Sequence, residues 1–211
     1  MTQATDATFN QVYKWMILGE SRPAAEQVVP ALLAAEKASR GSSAVQERST
    51  WTYRELLGPW RLSFITGTRS SRQRAGVVLG PGRFVPRWVE ISLTYCAPEK
   101  GPEKGPDNAL DTAPVGRVQN RVAIAGAAMT VSGPTKPWPR GILAFDFTRM
   151  TLDLGGWSPI DTQIRNGAER EAAFNQQPLK AQAFFRYFLV APNYAAARGR
   201  GGGLALWVRD R

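Results

Sequence analysis

Residues 193–211 read NYAAARGRGGGLALWVRDR. Arginine and glycine run directly into an apolar segment, and three readings compete: an RGG-type RNA tail, a phosphate cradle, and a turn leading into a barrel strand. RNA-binding tails repeat the RGG unit, and here it occurs as one short cluster. The phosphate-binding pattern G-x-x-x-x-G-K-[ST] is absent, as is its strand–loop–helix setting. In LALWVR, by contrast, Leu204, Leu206 and Val208 fall on one face and Ala205, Trp207 and Arg209 on the other. The glycines supply the preceding turn. A strand entering a barrel accounts for both halves of the stretch.

Segments upstream have the same character. WRLSFIT (60–66) alternates, with Trp60, Leu62 and Phe64 on one face, and AGVVLG (75–80) follows as a second strand. RWVEISLTYC (87–96) places Trp88, Glu90, Ser92 and Thr94 opposite Val89, Ile91, Leu93 and Tyr95. RVQNRVAIAG, AAMTVSG, RGILAFDFTR and MTLDLGG continue the series, and AQAFFRYFLVAPNYAAARG and the terminal segment close it. NGAEREAAFNQQPL reads as a turn or short helix. Roughly eight short strands without intervening helices exclude a doubly wound fold and predict a mainly β, lipocalin-like antiparallel β-barrel, whose closure removes exposed edges.

The first fifty residues are predicted to be helical. Phe9, Val12, Tyr13, Met16 and Ile17 recur at spacings of three and four, and Gly19 ends the pattern. A second helix runs from Pro23 towards Gly41, with Pro30 expected to kink or divide it. Thr50 is expected to cap a short helix in WTYRELL. The division is thus a helical extension over 1–50 and a barrel over 51–211, interrupted by a Pro/Gly-rich insert at 97–116 with two EKGP copies.

The chain has no histidine and one cysteine, Cys96. Zinc, haem-histidine and Ser–His–Asp chemistry are thereby excluded, and Cys96 reads as an inert thiol at the end of an apolar run. No catalytic set, metal site or required cofactor is expected. Asp146, Asp153 and Asp161 read as salt-bridge partners of Arg140 and Arg149 rather than as an acid–base pair. No run is long enough to span a membrane, and no secretory leader is expected. The net charge is +10, with 21 arginines among 27 basic residues, which favours anionic partners: lipid headgroups, acidic proteins or nucleic acid. Arg69, Arg72, Arg74, Arg83 and Arg87 form the candidate docking surface. Without regularly interleaved exposed aromatics, specific nucleic-acid binding is not expected. Trp60, Phe64, Trp88, Phe145 and Trp207 are the candidates for lining a cavity.

Several segments together resemble the plastid lipid-associated protein, or fibrillin, family of plastids and cyanobacteria. The resemblance runs through LLGPWRLSFIT, VQNRVAI, GILAFDFTR and ARGRGGGLALWVR, and Gly58, Trp60, Leu62, Asn120, Arg198, Gly199 and Gly202 carry it. It implies a lipocalin-like fold that binds or protects a lipid, quinone or carotenoid without catalysis, in a cyanobacterial cytoplasm at the cytoplasmic face of the thylakoid membrane. The insert and the positive charge depart from the family pattern and point to a dedicated protein partner, such as a photosynthetic pigment–protein complex. A structural or assembly subunit with a filled barrel is the alternative, and a bilin lyase-like, tetrapyrrole-loading protein is another.

Overall fold

The computed structural model describes residues 3–40, 51–67, 82–97 and 116–210. Among the described residues, eleven strands form one antiparallel sheet: β1 (Gly58–Ile65), β2 (Arg83–Phe84), β3 (Glu90–Cys96), β4 (Gly116–Ile124), β5 (Ala127–Trp138), β6 (Ile142–Phe145), β7 (Arg149–Leu154), β8 (Trp157–Gln163), β9 (Ala183–Val190), β10 (Tyr194–Gly199) and β11 (Leu204–Arg209). Eight of them close on themselves in the order β1–β3–β4–β5–β6–β9–β10–β11, with β11 returning to β1. The closed antiparallel barrel expected from the alternating segments is present.

Beyond the barrel, the sheet forks. The 12-residue β5 pairs with β6 over Thr135–Trp138 and with β7 over Ala127–Ser132. Its β6 partner continues the barrel wall through β9, whereas β7 carries β8 as the free edge of the sheet. The β7–β8 hairpin therefore projects from the barrel as a lip.

Two apolar layers hold the molecule together. Inside the barrel, Trp60, Leu93, Tyr95, Val118, Leu143, Phe145, Tyr187 and Trp207 form one core. Outside it, α1 (Gln3–Tyr13), continued by a π turn over Lys14–Leu18, and α2 (Ala25–Arg40) pack on β9–β11. Phe9, Val12, Met16, Val28 and Leu32 meet Phe188, Ala196, Leu204 and Leu206 there. Alternation in LALWVR thus sends Leu204, Leu206 and Val208 to the helices and Ala205 and Trp207 to the interior. Pro30 stands on the exposed side of α2, which runs past it undivided.

Some local expectations are corrected. Phe64 does not face the barrel interior: the β1–β11 register slips by one residue between Leu62 and Phe64, and this bulge turns Phe64 outward into the helix-facing core. Trp88 does not lie on a strand. It occupies a turn before β3 and is 72% exposed. The segment 181–199 forms two strands separated at Pro192–Asn193, and β8 was not anticipated. The short helix α3 (Tyr53–Leu56) is capped by Thr52, whose amide and hydroxyl meet the Glu55 carboxylate. Thr50, the strand expected at 75–80, and nearly all of the 97–116 insert lie outside the described residues.

Candidate functional site

The barrel interior is polarised along its axis. One end is stoppered by the segment that precedes β1. Trp51 inserts with its indole N–H donating to the Tyr187 carbonyl (3.3 Å), and its ring meets Tyr187 edge-on at 5.6 Å. The Tyr53 hydroxyl donates to the Cys96 carbonyl (3.0 Å) and accepts from Thr135 (3.1 Å). Arg209 locks this end: its guanidinium lies 3.9 Å over the Trp60 ring and donates to the carbonyls of Glu55, Leu57 and Pro192. Gly58 sits at φ +99°, the conformation that lets α3 turn straight into β1. Trp60 then donates its indole N–H back to Leu56 (2.7 Å).

The middle is filled with aromatic rings. Trp207 packs against Phe185 (5.2 Å) and Tyr187 (5.8 Å), and Phe145 lies 5.0 Å from Phe185. The hydroxyls of Tyr95 and Tyr187 share one hydrogen bond of 2.7 Å. Burial pushes both phenols well above their ordinary pKa, so they stay neutral.

Towards the opposite end, the inward side chains Leu62, Phe147, Phe185 and Ala205 pack on this core but are only half-buried. We call this end the mouth. Asn120 stands here, paired across the sheet with Leu93 and Val131 and on the inward face by its spacing from Val118. Its amide oxygen is buried without a hydrogen-bond partner among the described residues. A carbonyl oxygen held in an apolar wall at a net cost is a ready acceptor for a donor on a ligand.

Of the five cavity candidates, Trp60, Phe145 and Trp207 line the interior, and Phe64 and Trp88 do not. Asn120, Leu62 and Phe185 complete the mouth. The bulge that turns Phe64 outward leaves no mark in the alternation of WRLSFIT. Asn120 sits between Gln119 and Arg121 in VQNRVAI, and only the register shows that it, and not its polar neighbours, points inward. Among the proposed docking arginines, Arg83 is exposed on β2 and Arg87 in the turn before β3. Arg69, Arg72 and Arg74 lie outside the described residues. Arg198 is not a free cation of an RNA tail: it clasps the buried Glu36 of α2 through both carboxylate oxygens and donates to the Gly202 carbonyl (2.6 Å). Gly199 and Gly202 make the turn that delivers β11, with Gly199 donating to Gly203 and Gly202 to Gly199.

On the outer face of the lip, a polar cavity of about 550 Å³ is lined by Arg117, Gln119, Arg149, Asp161, Gln163 and Glu171, with Cys96 at its border. Its charges are paired, Arg117 with Glu171 on α4 (Gly167–Ala173) and Arg149 with Asp161. Asp161 pairs with Arg149 as expected, whereas Asp146 pairs with Arg170 and Arg165 rather than with Arg140, and Asp153 accepts from the Gly156 amide and the Ser158 hydroxyl instead of meeting an arginine. Among the described residues, no three acidic or cysteine side chains converge as a metal centre requires.

No family model and no curated protein matches the chain. Among solved structures, the chain is similar to a protein of unknown function of the DUF3598 family from Nostoc punctiforme. The match is 16% identical, covers 81% of this chain and 53% of that one, and has a TM-score of 0.28. The chain thus spans about half the length of that protein, and likeness at this level carries neither fold nor function across.

Proposed function

We propose that this barrel is a non-catalytic container for a small, mainly apolar ligand, a lipid, quinone, carotenoid or tetrapyrrole, which enters through the mouth. The observation that carries the reading is the axial polarity. One end is stoppered by Trp51, Tyr53 and Arg209, while at the other apolar side chains stay half-buried and the inward face of β4 adds the Asn120 amide oxygen, which has no hydrogen-bond partner among the described residues. The packed aromatic middle restricts cargo to the mouth half. A hydroxyl or N–H on the ligand donates to Asn120, and the ring edges of Phe147 and Phe185 flank its apolar body. Membership of the fibrillin group, a place at the cytoplasmic face of the thylakoid and a pigment–protein partner belong to the same proposal, supported by the motif segments and the basic charge.

Native mass spectrometry on protein gently purified from its own cells, with absorption spectra of the same sample, is the test. An apolar adduct in stoichiometric amount is expected. Asn120→Leu is expected to weaken its binding about tenfold, the effect of one lost hydrogen bond in an apolar site. An empty barrel copurifying with one protein in fixed ratio would instead make this an assembly subunit. That rival is favoured by the density of the aromatic middle. A visible-absorbing complex formed only on incubation with a bilin would support the lyase-like alternative.

A further inference from the structure

The lip carries an apolar surface that the barrel itself does not use. The β4–β5 and β7–β8 hairpins end side by side, tied by the Gly155 amide donating to the Gly126 carbonyl (2.9 Å). Register places Val122, Met129 and Leu152 in one row across β4, β5 and β7, with Ile160 next on β8 and Ile124, Leu154 and Trp157 beyond them at the tips. Of the nine large apolar side chains that stand most exposed among the described residues, Ile124, Met129, Leu154, Trp157 and Ile160 all belong to this edge. Trp157 is 67% exposed, and every residue of β8 is exposed. Soluble surfaces scatter such residues singly, and a contiguous group marks an interaction face.

The charge pattern says what kind of partner fits. Residues 122–132 (VAIAGAAMTVS) contain no charge, and residues 150–160 (MTLDLGGWSPI) contain only Asp153, in a chain of net charge +10. Asp153 belongs to the opposite, polar face of β7, where it accepts from the Gly156 amide and the Ser158 hydroxyl. Cations stand back from the tips at the same end of the barrel. β1 ends there at Ile65, opposite Arg83, and β3 begins there at Glu90, opposite Ala123. Arg83, Arg87 and Trp88 are exposed on that rim. Uncharged apolar tips with an exposed tryptophan, backed by arginine, match the depth profile of an anionic bilayer: apolar inside, aromatic-tolerant at the interface, negative at the headgroups.

We propose that the paired hairpin tips and the apolar face of β7–β8 dock on an anionic lipid bilayer, holding the barrel mouth against the membrane so that cargo passes between the two without crossing water. The docking surface stands on its own residues. Only the transfer of cargo rests on the container reading above.

The test is flotation with phosphatidylcholine vesicles containing roughly one-third phosphatidylglycerol. The wild-type protein is expected to float with them, and Ile124→Asp/Leu154→Asp to partition at least tenfold less, with an unchanged thermal melt because both side chains are already exposed. Ligand occupancy of the same variants is measured without vesicles by native mass spectrometry. Lost flotation with retained ligand supports the docking face. Retained flotation in the double variant overturns it, as does failure of the wild-type protein to float. A concentration-dependent dimer that the same substitutions abolish also overturns it, because a second copy then covers the lip. Floating protein that never carries ligand removes the container reading and leaves the docking face standing.

Discussion

Glu36 of α2 is nearly fully buried, yet it stays ionised because two arginines converge on it, Arg198 from β10 and Arg40 from the next turn of its own helix. Burial works to raise its pKa. The hydrogen bonds and charges of Arg198 and Arg40 outweigh it and hold the carboxyl below the usual carboxylate value. Glu36→Gln, which strands the Arg198 guanidinium, is expected to cost about 3 kcal/mol in urea unfolding, and Glu36→Met/Arg198→Met to recover much of that. The sign with pH follows from the lowered value. The pair contributes in full above the ordinary carboxylate range and loses its contribution as pH falls through the lowered pKa. Melting temperatures of wild type and Glu36→Gln should therefore differ near neutrality and converge in acid. A second single-atom limit lies at Gly133, where an added Cβ would press into the Asp146 carbonyl at the point where the sheet forks. Gly133→Ala is expected to lose about 1–3 kcal/mol on the same urea assay, through overpacking against backbone that cannot yield.

Among the elements, the Trp51–Leu56 segment does more than join helix to barrel. It is the stopper. Removing its largest side chain by Trp51→Ala is expected to cost about 3–5 kcal/mol and to increase hydrogen exchange at the Gly58–Trp60 end of β1 ahead of the mouth end; uniform exchange along β1 would refute the polarity. Much of this architecture was legible. Strict alternation in LALWVR named the two faces of β11 correctly, since both are buried and each residue type has only one place to go. Alternation failed where the backbone departs from period two. The extra residue near Ser63 reverses Phe64 without changing the sequence pattern, and Trp88 looked like a strand residue because a turn precedes β3 in equally apolar sequence. WSPIDTQ carries Pro159 and little alternation, and it is a strand because β7 offers it a partner. Four of the five candidate-site aromatics, Trp60, Phe64, Phe145 and Trp207, were legible as core-formers, and Trp88 was not one. The mouth was not legible, because half-burial and the orphaned Asn120 oxygen are properties of assembled walls.

At the scale of the whole molecule, part of the basic charge is already committed: Arg117, Arg121, Arg149, Arg170 and Arg198 each face a carboxylate, and Arg209 donates to backbone carbonyls. The surplus still gives a field that reaches roughly a Debye length, about 8 Å at physiological salt. Binding to anionic vesicles is therefore expected to weaken with added salt but not to vanish, because the lip's apolar contact is unscreened; complete release by salt would assign the interaction to charge alone. The seam between β1 and β11 joins the two ends of the barrel's path. Thr66 and Leu204, which hydrogen-bond across it, are separated by 138 residues, so the ring closes by one of the most distant pairings in the chain. Such topology places folding in the slow, millisecond-to-second regime. During synthesis β1 waits, paired on one side only, until the segment 204–209 has left the ribosome. A chain stalled before that point exposes two raw sheet edges and half an apolar wall, the kind of surface on which chaperones and aggregation compete.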